Sequence, residues 1–294
     1  MVRPREWPDG GLTEISMDTD VLPRKNFEAR SSASSALHRQ RRMIDAVLFD
    51  LGDTLLHFET DQARQFLESA TQPAYDRLVE LGFHPPKYKT YLRAIKGRFL
   101  RAYVWSRLIR REAQLVDAFH RLHHRMGIDI DDTQMTDLAM RCVAPLRQFF
   151  NVDGSARAVM AQLQAAGFKL GLVSNSFFPG FAIDDVLQHE KLLKHFPVRV
   201  YSSDVGYMKP HRRIFEMALD QLGVAAERTV FVGDRVDNDV RGAARLGMKT
   251  ILLVRNGRTP RGRACPDHIV RALSEVPAVL SRGRNEIPAR RESA

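Results

Sequence analysis

Hydrophobic residues form five short runs along the chain, each rich in β-branched or aromatic side chains. The runs cover residues 44–49, 169–174, 198–202, 229–232 and 250–254. Runs of this length and composition predict buried β-strands. Residues 155–166, 212–222 and 237–246 have helical spacing, and glycine, which commonly ends a helix, follows each of them. Strands that alternate with helices predict an α/β fold with a doubly wound, parallel, Rossmann-like sheet.

The long segment between the first and second runs has a different pattern. Apolar residues recur there at helical spacing, as at Leu92, Ile95, Phe99 and Ala102, and basic residues fall largely between them. We therefore predict about four helices between residues 61 and 150, which form an all-helical cap inserted after the first strand. Ligands of doubly wound folds bind outside the carboxyl ends of the strands, so this cap would overhang the binding site.

These patterns divide the chain into a core, a cap and two terminal segments. Residues 43–57 and 151–281 are predicted to form the α/β core, and residues 58–150 the helical cap. Residues 1–42 lack apolar periodicity and are predicted to be a disordered extension. Residues 282–294 are predicted to be a disordered tail.

Charge and cysteine content limit the classes of function. The 294-residue chain has a formal net charge of +10, and segment 87–111 holds nine basic residues and no acidic one. Because basic helix faces are common, a solvated face is favoured there, and no nucleic-acid partner is expected. Cys142 and Cys265 lie outside any metal-binding motif, and every apolar run is too short to cross a bilayer. The sequence therefore predicts a cytoplasmic protein with no membrane partner.

Polar groups that suit phosphoryl transfer follow four of the predicted strands. Asp50 enters a tight turn after the first strand, and Ser174 and Asn175 come at the end of the second. Lys209 precedes a predicted helix, and segment 233–239 places several carboxylates after a buried strand. Together these residues supply a nucleophile, donors to phosphate oxygens, an ammonium group and hard oxygen ligands of the kind that Mg²⁺ prefers.

In this order, the segments resemble the motifs of haloacid dehalogenase superfamily hydrolases that carry a helical cap after the first motif. The resemblance runs from about residue 44 to residue 280. It rests on the stretches F-D-L-G-D-T-L, S-S-D-V-G-Y-M-K-P-H-R-R-I-F and G-D-R-V-D-N-D-V-R-G-A-A-R-L-G-M. It implies an Mg²⁺-dependent phosphatase that hydrolyses a small phosphorylated metabolite through an aspartyl-phosphate.

The resemblance also implies which residues handle the phosphate group. Asp50 would be the nucleophile, and Lys209 would neutralise the phosphorylated aspartate. Ser174 and Thr54 would bind the phosphate oxygens, together with the backbone amides around Asn175.

The same resemblance implies a set of metal ligands. Asp50, the backbone carbonyl of Gly52 and Asp234 would bind Mg²⁺ directly. Asp239, rather than Asn238, would hold metal-bound water.

Gly52 is a departure from the commonest form of the first motif, which has a second aspartate at this position. That aspartate acts as general acid and base, and glycine cannot replace its proton transfer. Asp53 lies one residue later, and a one-residue offset in a tight turn generally redirects a side chain. Asp53 is therefore interpreted as structural, and the sequence does not identify the general acid.

Two other functions fit parts of the pattern. A metal-independent 2-haloacid dehalogenase would need no acid at Gly52, but the carboxylates at Asp234 and Asp239 would repel a haloacid anion. A catalytically weak binding protein would use the basic cap to contact nucleic acid or another partner, and Asp50 would then be dispensable. For a phosphatase, cationic cap residues could instead face the cleft and favour a doubly anionic substrate: Arg93, Lys96, Arg98, Arg101 or Arg107.

Overall fold

A computed structural model describes residues 44–58, 63–109, 115–176, 178–255 and 264–283. The predicted extension at residues 1–42 and nearly all of the predicted tail lie outside these ranges. Within the described helices, no segment has both the length and the hydropathy needed to cross a membrane.

Eight strands are present in the described part of the chain. They are β1 (Ala46–Phe49), β2 (Leu56–Phe58), β3 (Phe150–Val152), β4 (Lys169–Ser174), β5 (Val198–Tyr201), β6 (Thr229–Gly233), β7 (Lys249–Leu253) and β8 (His268–Val270). Six of them form a parallel sheet in the order β5-β4-β1-β6-β7-β8. The predicted parallel α/β sheet is confirmed, and each of the five predicted runs corresponds to one of its strands.

Strands β2 and β3 form a separate antiparallel ribbon where the chain leaves the core and returns to it. Leu56 pairs with Val152, and Phe58 with Phe150. The sequence analysis did not predict this ribbon, because three residues are too few to establish a strand pattern. For the same reason it missed β8.

Four α-helices lie between β2 and β3 within the described ranges: α1 (Ala63–Glu80), α2 (Tyr88–Ile109), α3 (Leu115–Arg125) and α4 (Asp132–Val143). Their inward faces share an apolar cluster that includes Leu78, Tyr91, Ile95 and Leu138, and Ile128 of the loop between α3 and α4 joins it. We call these four helices the cap. The domain boundaries given above stay predictions.

Helices cover both faces of the sheet. The core helices are α5 (Ala156–Ala165), α6 (Gly180–His189), a short α7 (Ser202–Val205), α8 (Arg212–Leu222), α9 (Arg241–Ala244) and α10 (Val276–Gly283). Apolar residues of α5, α6 and α10 share one cluster with Val47 and Phe49 of β1, whereas those of α8 and α9 share another with Ala46 and Leu48. Because strand side chains alternate between faces, a strand covered on both sides is apolar throughout.

Residues 237–246 differ from the single helix that the sequence predicted. A π-helical turn covers Val236–Val240, and α9 begins only at Arg241. Asp239 lies inside this turn and is buried. The wider turn therefore directs a carboxylate inward at a position that a regular α-helix would arrange differently.

Candidate active site

Lys209 lies at the centre of a buried polar cluster at the carboxyl edge of the sheet. Its Nζ is 2.6 Å from Asp50 Oδ1 and 2.7 Å from Asp239 Oδ1. All three side chains are buried. Burial would lower the pKa of Lys209, but the charges of Asp239 and Asp50 outweigh it and raise that pKa. The ammonium group therefore stays protonated at neutral pH.

Asp234 completes a group of three carboxylates with Asp50 and Asp239. Each residue offers an oxygen, and these oxygens lie within 4.8 Å of one another. Burial, together with the negative charges of Asp50 and Asp239, raises the pKa of Asp234 to about 8. Burial also raises the pKa of Asp50 to about 6, although Lys209 opposes the shift. The single positive charge of Lys209 thus does not neutralise the negative charges of three carboxylates, whereas Lys209 together with a divalent cation would.

The two acids of the β6 loop differ in how many protein partners they have. Asp239 Oδ2 accepts a hydrogen bond from the backbone N–H of Arg235 at 2.9 Å. Asp239 Oδ1 has no hydrogen bond of good geometry among the described residues, but it forms an ion pair with Lys209 Nζ at 2.7 Å. Asp234 Oδ1 is buried and has no hydrogen-bond partner among the described residues. A carboxylate oxygen in that state needs a cation or water, so the site fits a metal ion.

Gly233 allows Asp239 to approach the end of β6. A Cβ atom at position 233 would overlap the carboxyl group of Asp239. Glycine is therefore required there by close packing.

In the turn after Asp50, Gly52 and Asp53 differ in backbone conformation and in surroundings. Gly52 has no atom within 4 Å of the point where a Cβ would lie, so a side chain would find space there. Asp53 adopts a left-handed φ of 57°, which aspartate tolerates better than most residues. Its side chain is 73% exposed, and its Oδ1 lies 3.3 Å from Nδ1 of His57.

Asn175 contacts the backbone of Lys209 through both ends of its side-chain amide. Its Oδ1 accepts from Lys209 N–H at 2.7 Å, and its Nδ2 donates to the Lys209 carbonyl at 3.0 Å. The resemblance had grouped Asn175 with the phosphate-binding residues. In the structure, its side chain holds the Lys209 loop against the end of β4, where Ser174 is buried.

Thr54 and two residues that the sequence did not indicate, Arg255 and Asp153, connect the turn after Asp50 to the ribbon. The Thr54 side chain is fully buried, and its carbonyl accepts from Arg255 Nη2 at 2.9 Å. The same Nη2 lies 2.7 Å from Asp153 Oδ2. Asp153 follows β3, and its N–H donates to the Leu55 carbonyl at 3.0 Å. Arg255 belongs to no recognisable motif, so nothing in the local sequence indicated this bridge.

A cavity between the cap and the loop after β4 is apolar rather than basic. Its volume is about 50 Å³. Four aromatic rings line it: Phe66, Phe99, Phe119 and Phe178. Lys96, one of the cationic candidates for the substrate cleft, is instead 2.9 Å from Glu68. The side chain of Arg107 lies outside the described residues.

Comparisons with known proteins find similar sequences and a similar fold. The sequence model of the haloacid dehalogenase-like hydrolases matches residues 44–247. A glyceraldehyde 3-phosphate phosphatase from Methanopyrus kandleri is 30% identical over 218 residues, which cover 72% of this chain and 85% of that protein. An (S)-2-haloacid dehalogenase from Pseudomonas putida is 25% identical over 79% of this chain and 95% of its own length.

A solved structure of similar fold is an HAD phosphatase from Thermococcus onnurineus. It has a TM-score of 0.52 and 25% identity, and the match covers 81% of this chain and 98% of that one.

Proposed function

The chain belongs to the haloacid dehalogenase-like hydrolase family, and we propose that it is an Mg²⁺-dependent phosphatase acting on a small phosphorylated metabolite in the cytoplasm. The observation that carries this proposal is the contact of Lys209 with both Asp50 and Asp239 beside the unpartnered oxygen of Asp234. Phosphoryl transfer needs a nucleophile, a cation near it and a fixed positive charge, and these residues can supply all three.

In the proposed reaction, a carboxylate oxygen of Asp50 attacks phosphorus as the bond to the leaving oxygen breaks. The leaving oxygen takes a proton from water, from Asp53 or from the substrate itself. Water then attacks the aspartyl-phosphate, which releases phosphate and restores the Asp50 carboxylate. Lys209 offsets negative charge on the phosphoryl oxygens in both steps, and Ser174 and Thr54 are proposed to bind those oxygens.

Mg²⁺ would be held by Asp50, Asp234 and the Gly52 carbonyl, with Asp239 holding its water. When bound, the ion would supply charge neutralisation at the phosphoryl group. Asp234 is well suited to direct binding because its Oδ1 lacks another partner in the described chain. Asp239 suits an outer position because both of its oxygens already contact protein groups.

Carbon–halogen displacement is a second candidate, and one observation favours it. Gly52 offers no acid, and a halide leaving group needs none. The three carboxylates count against it, because without a metal they would repel the haloacid anion.

One substrate panel separates these functions. Purified protein is assayed against aryl phosphates, alkyl phosphates and 2-haloacids, each with Mg²⁺ and with EDTA. We expect release of phosphate that requires Mg²⁺ and falls by at least about a thousandfold in Asp50→Asn, since an amide is a poor nucleophile and ligand. Asp237→Asn, a change of an exposed acid in the same loop, is the matched control.

Halide release in EDTA would instead establish the dehalogenase. Full phosphatase activity in Asp50→Asn would rule out the proposed nucleophile.

A further inference from the structure

Four arginines of the cap form one cationic surface on α2 and α3. Arg98 and Arg101 belong to α2, and Arg121 and Arg125 to α3. We call these four residues the cap arginine surface. Burial, followed by the positive charges of Arg121, Arg125 and Arg101, lowers the pKa of Arg98. Helices α2 and α3 pack against each other, so the guanidinium groups of Arg121 and Arg125 come near that of Arg98.

These arginines lack the carboxylate partners that other arginines of the protein have. Arg77 Nε lies 2.6 Å from Asp137, and Arg199 Nε lies 2.9 Å from Asp184. No such pair is found for the cap arginine surface within the described ranges. In addition, Arg98 Nε is buried and has no hydrogen-bond partner in the part of the chain that the structure describes. Clustered, unpaired cations raise the energy of the free protein, and an anionic ligand would remove that repulsion.

A surface depression of about 430 Å³ is lined by two of these arginines, Arg121 and Arg125. Its polar lining comes from consecutive turns of α3: His120, Arg121, His124 and Arg125. Asp129 also lines the depression, but its Oδ1 lies 2.7 Å from His124 Nδ1. Arg121 and Arg125 therefore remain available to a ligand, and the volume falls in the range of common ligand sites.

An exposed aromatic side chain lies on the same helix as two of the arginines. Trp105 is four residues after Arg101, so the two side chains are neighbours on α2. Its side chain is 59% exposed, and Leu100 and Val104 are also exposed. Guanidinium groups next to an exposed aromatic ring are typical of surfaces that bind single-stranded nucleic acid, where bases stack on the ring.

Contrary to the expectation from the sequence that nucleic acid is not a partner, we propose that the cap arginine surface and Trp105 bind single-stranded nucleic acid, with the guanidinium groups on backbone phosphates and the indole on a base. The planar guanidinium group forms paired hydrogen bonds with phosphate oxygens. A single strand is favoured over a duplex because bases inside a duplex are already stacked and cannot reach Trp105. The net charge of +10 would also attract a polyanion at low salt.

The test measures binding directly and does not depend on the proposed phosphatase activity. Fluorescence anisotropy of a labelled oligothymidylate of about 12 nucleotides, a length that spans one small single-strand site, is followed with the full-length protein. Four phosphate contacts predict that log K falls with log salt with a slope of about −3. Arg121→Gln/Arg125→Gln should halve that slope and weaken binding roughly tenfold at about 50 mM salt.

The control double variant changes two exposed arginines of the core, Arg157→Gln/Arg245→Gln, and so lowers the net charge by the same amount. It should change the affinity by less than about twofold, because remote charges are screened at this salt. Equal losses in the two double variants would mean that only net charge matters, and would overturn the proposal.

Stacking on Trp105 has its own readout. The chain has two tryptophans, so Trp7→Phe leaves Trp105 as the sole indole. Its fluorescence should be quenched by the oligonucleotide, and Trp105→Ala should weaken binding by roughly tenfold. Three results would overturn the proposal. The first is no binding at low salt, and the second is displacement of the oligonucleotide by a polyglutamate peptide at equal charge. The third is tighter binding of duplex DNA or of anionic vesicles that also depends on Arg121 and Arg125.

Discussion

The side-chain amide of Asn175 binds both the N–H and the carbonyl of Lys209, at 2.7 and 3.0 Å. These two bonds connect the end of β4 to the loop that carries the buried ammonium group. Lys209 Nζ in turn contacts Asp50 and Asp239. Asn175 can therefore set the position of the positive charge next to the proposed nucleophile.

Asn175→Ala should lower kcat by about 10- to 100-fold, the usual cost of removing a residue that orients a catalytic group. Asn175→Asp keeps the acceptor for the Lys209 N–H but loses the donor to its carbonyl, so a smaller loss is expected. Steady-state kinetics on an aryl phosphate, with circular dichroism as a folding check, give the measurement. If Asn175→Ala weakens inhibition by inorganic phosphate but leaves kcat unchanged, the side chain binds phosphate directly.

Asp234→Asn should weaken Mg²⁺ binding more than Asp239→Asn. Asp234 has a buried oxygen without a partner in the described chain, whereas both oxygens of Asp239 contact Lys209 or the Arg235 backbone. Calorimetric titration with Mg²⁺ gives the affinities, and Asp237→Asn serves as a control of equal charge change. Equal affinities for the Asp234 and Asp239 variants would contradict the assignment of a direct and an outer position.

Gly52→Asp should raise turnover mainly on alkyl phosphates. An alkoxide needs a proton as it leaves, whereas a nitrophenolate leaves without much help, so a new acid benefits the alkyl ester more. The substitution is sterically possible, because Gly52 has a φ outside the left-handed region and open space around its missing Cβ. Rates on both ester types are compared in the folded variant.

Asp53→Asn is the companion to that experiment. The Asp53 side chain is exposed and close to His57, so its loss should have little effect on alkyl phosphates. If Asp53→Asn abolishes alkyl phosphate hydrolysis and Gly52→Asp gains nothing, then Asp53 is the general acid and the structural interpretation of it is wrong.

Arg255→Ala should destabilise the protein and lower kcat, because Arg255 joins the Thr54 carbonyl to Asp153 at the base of the ribbon. We expect a coupling free energy between Arg255 and Asp153 of about 1–2 kcal/mol in a double-mutant cycle with Asp153→Asn. This coupling free energy is obtained from urea unfolding of the parent protein, the two single variants and the double variant. A coupling near zero would mean that the ion pair does not hold the turn.

The contribution of the Asp153–Arg255 pair to stability is predicted to depend on pH. Burial would raise the pKa of Asp153, but hydrogen bonds from Ser155 and the charge of Arg255 outweigh it and lower that pKa. A carboxyl whose folded pKa lies below its unfolded value contributes stability above the unfolded pKa, and loses it as pH falls through the folded one. Unfolding free energies measured from pH 7 down to about pH 3 should therefore fall less steeply in Asp153→Asn than in the parent protein.

Local sequence pattern was enough to predict the sheet and the polar groups at its carboxyl edge. β1 is apolar at every position because both of its faces are covered, and Asp50 follows it directly. Because parallel strands end at one edge, strand pattern alone is enough to expect Asp50, Asp234 and Lys209 near one another. The three-residue strands of the ribbon could not be predicted in this way, since they are too short for a pattern.

Local sequence pattern could not predict contacts between residues that are distant in sequence. Asn175 and Lys209 are 34 positions apart, and Arg255 and Thr54 are 201 apart. Their hydrogen bonds depend on how whole strands and loops pack. The same holds for the cap, where helical spacing predicted apolar and basic faces, but only the packing of α3 against α2 placed Arg121 and Arg125 next to Arg98 without carboxylate partners. Periodicity assigns a side chain to one face of its own helix, and tertiary contacts determine what that face meets.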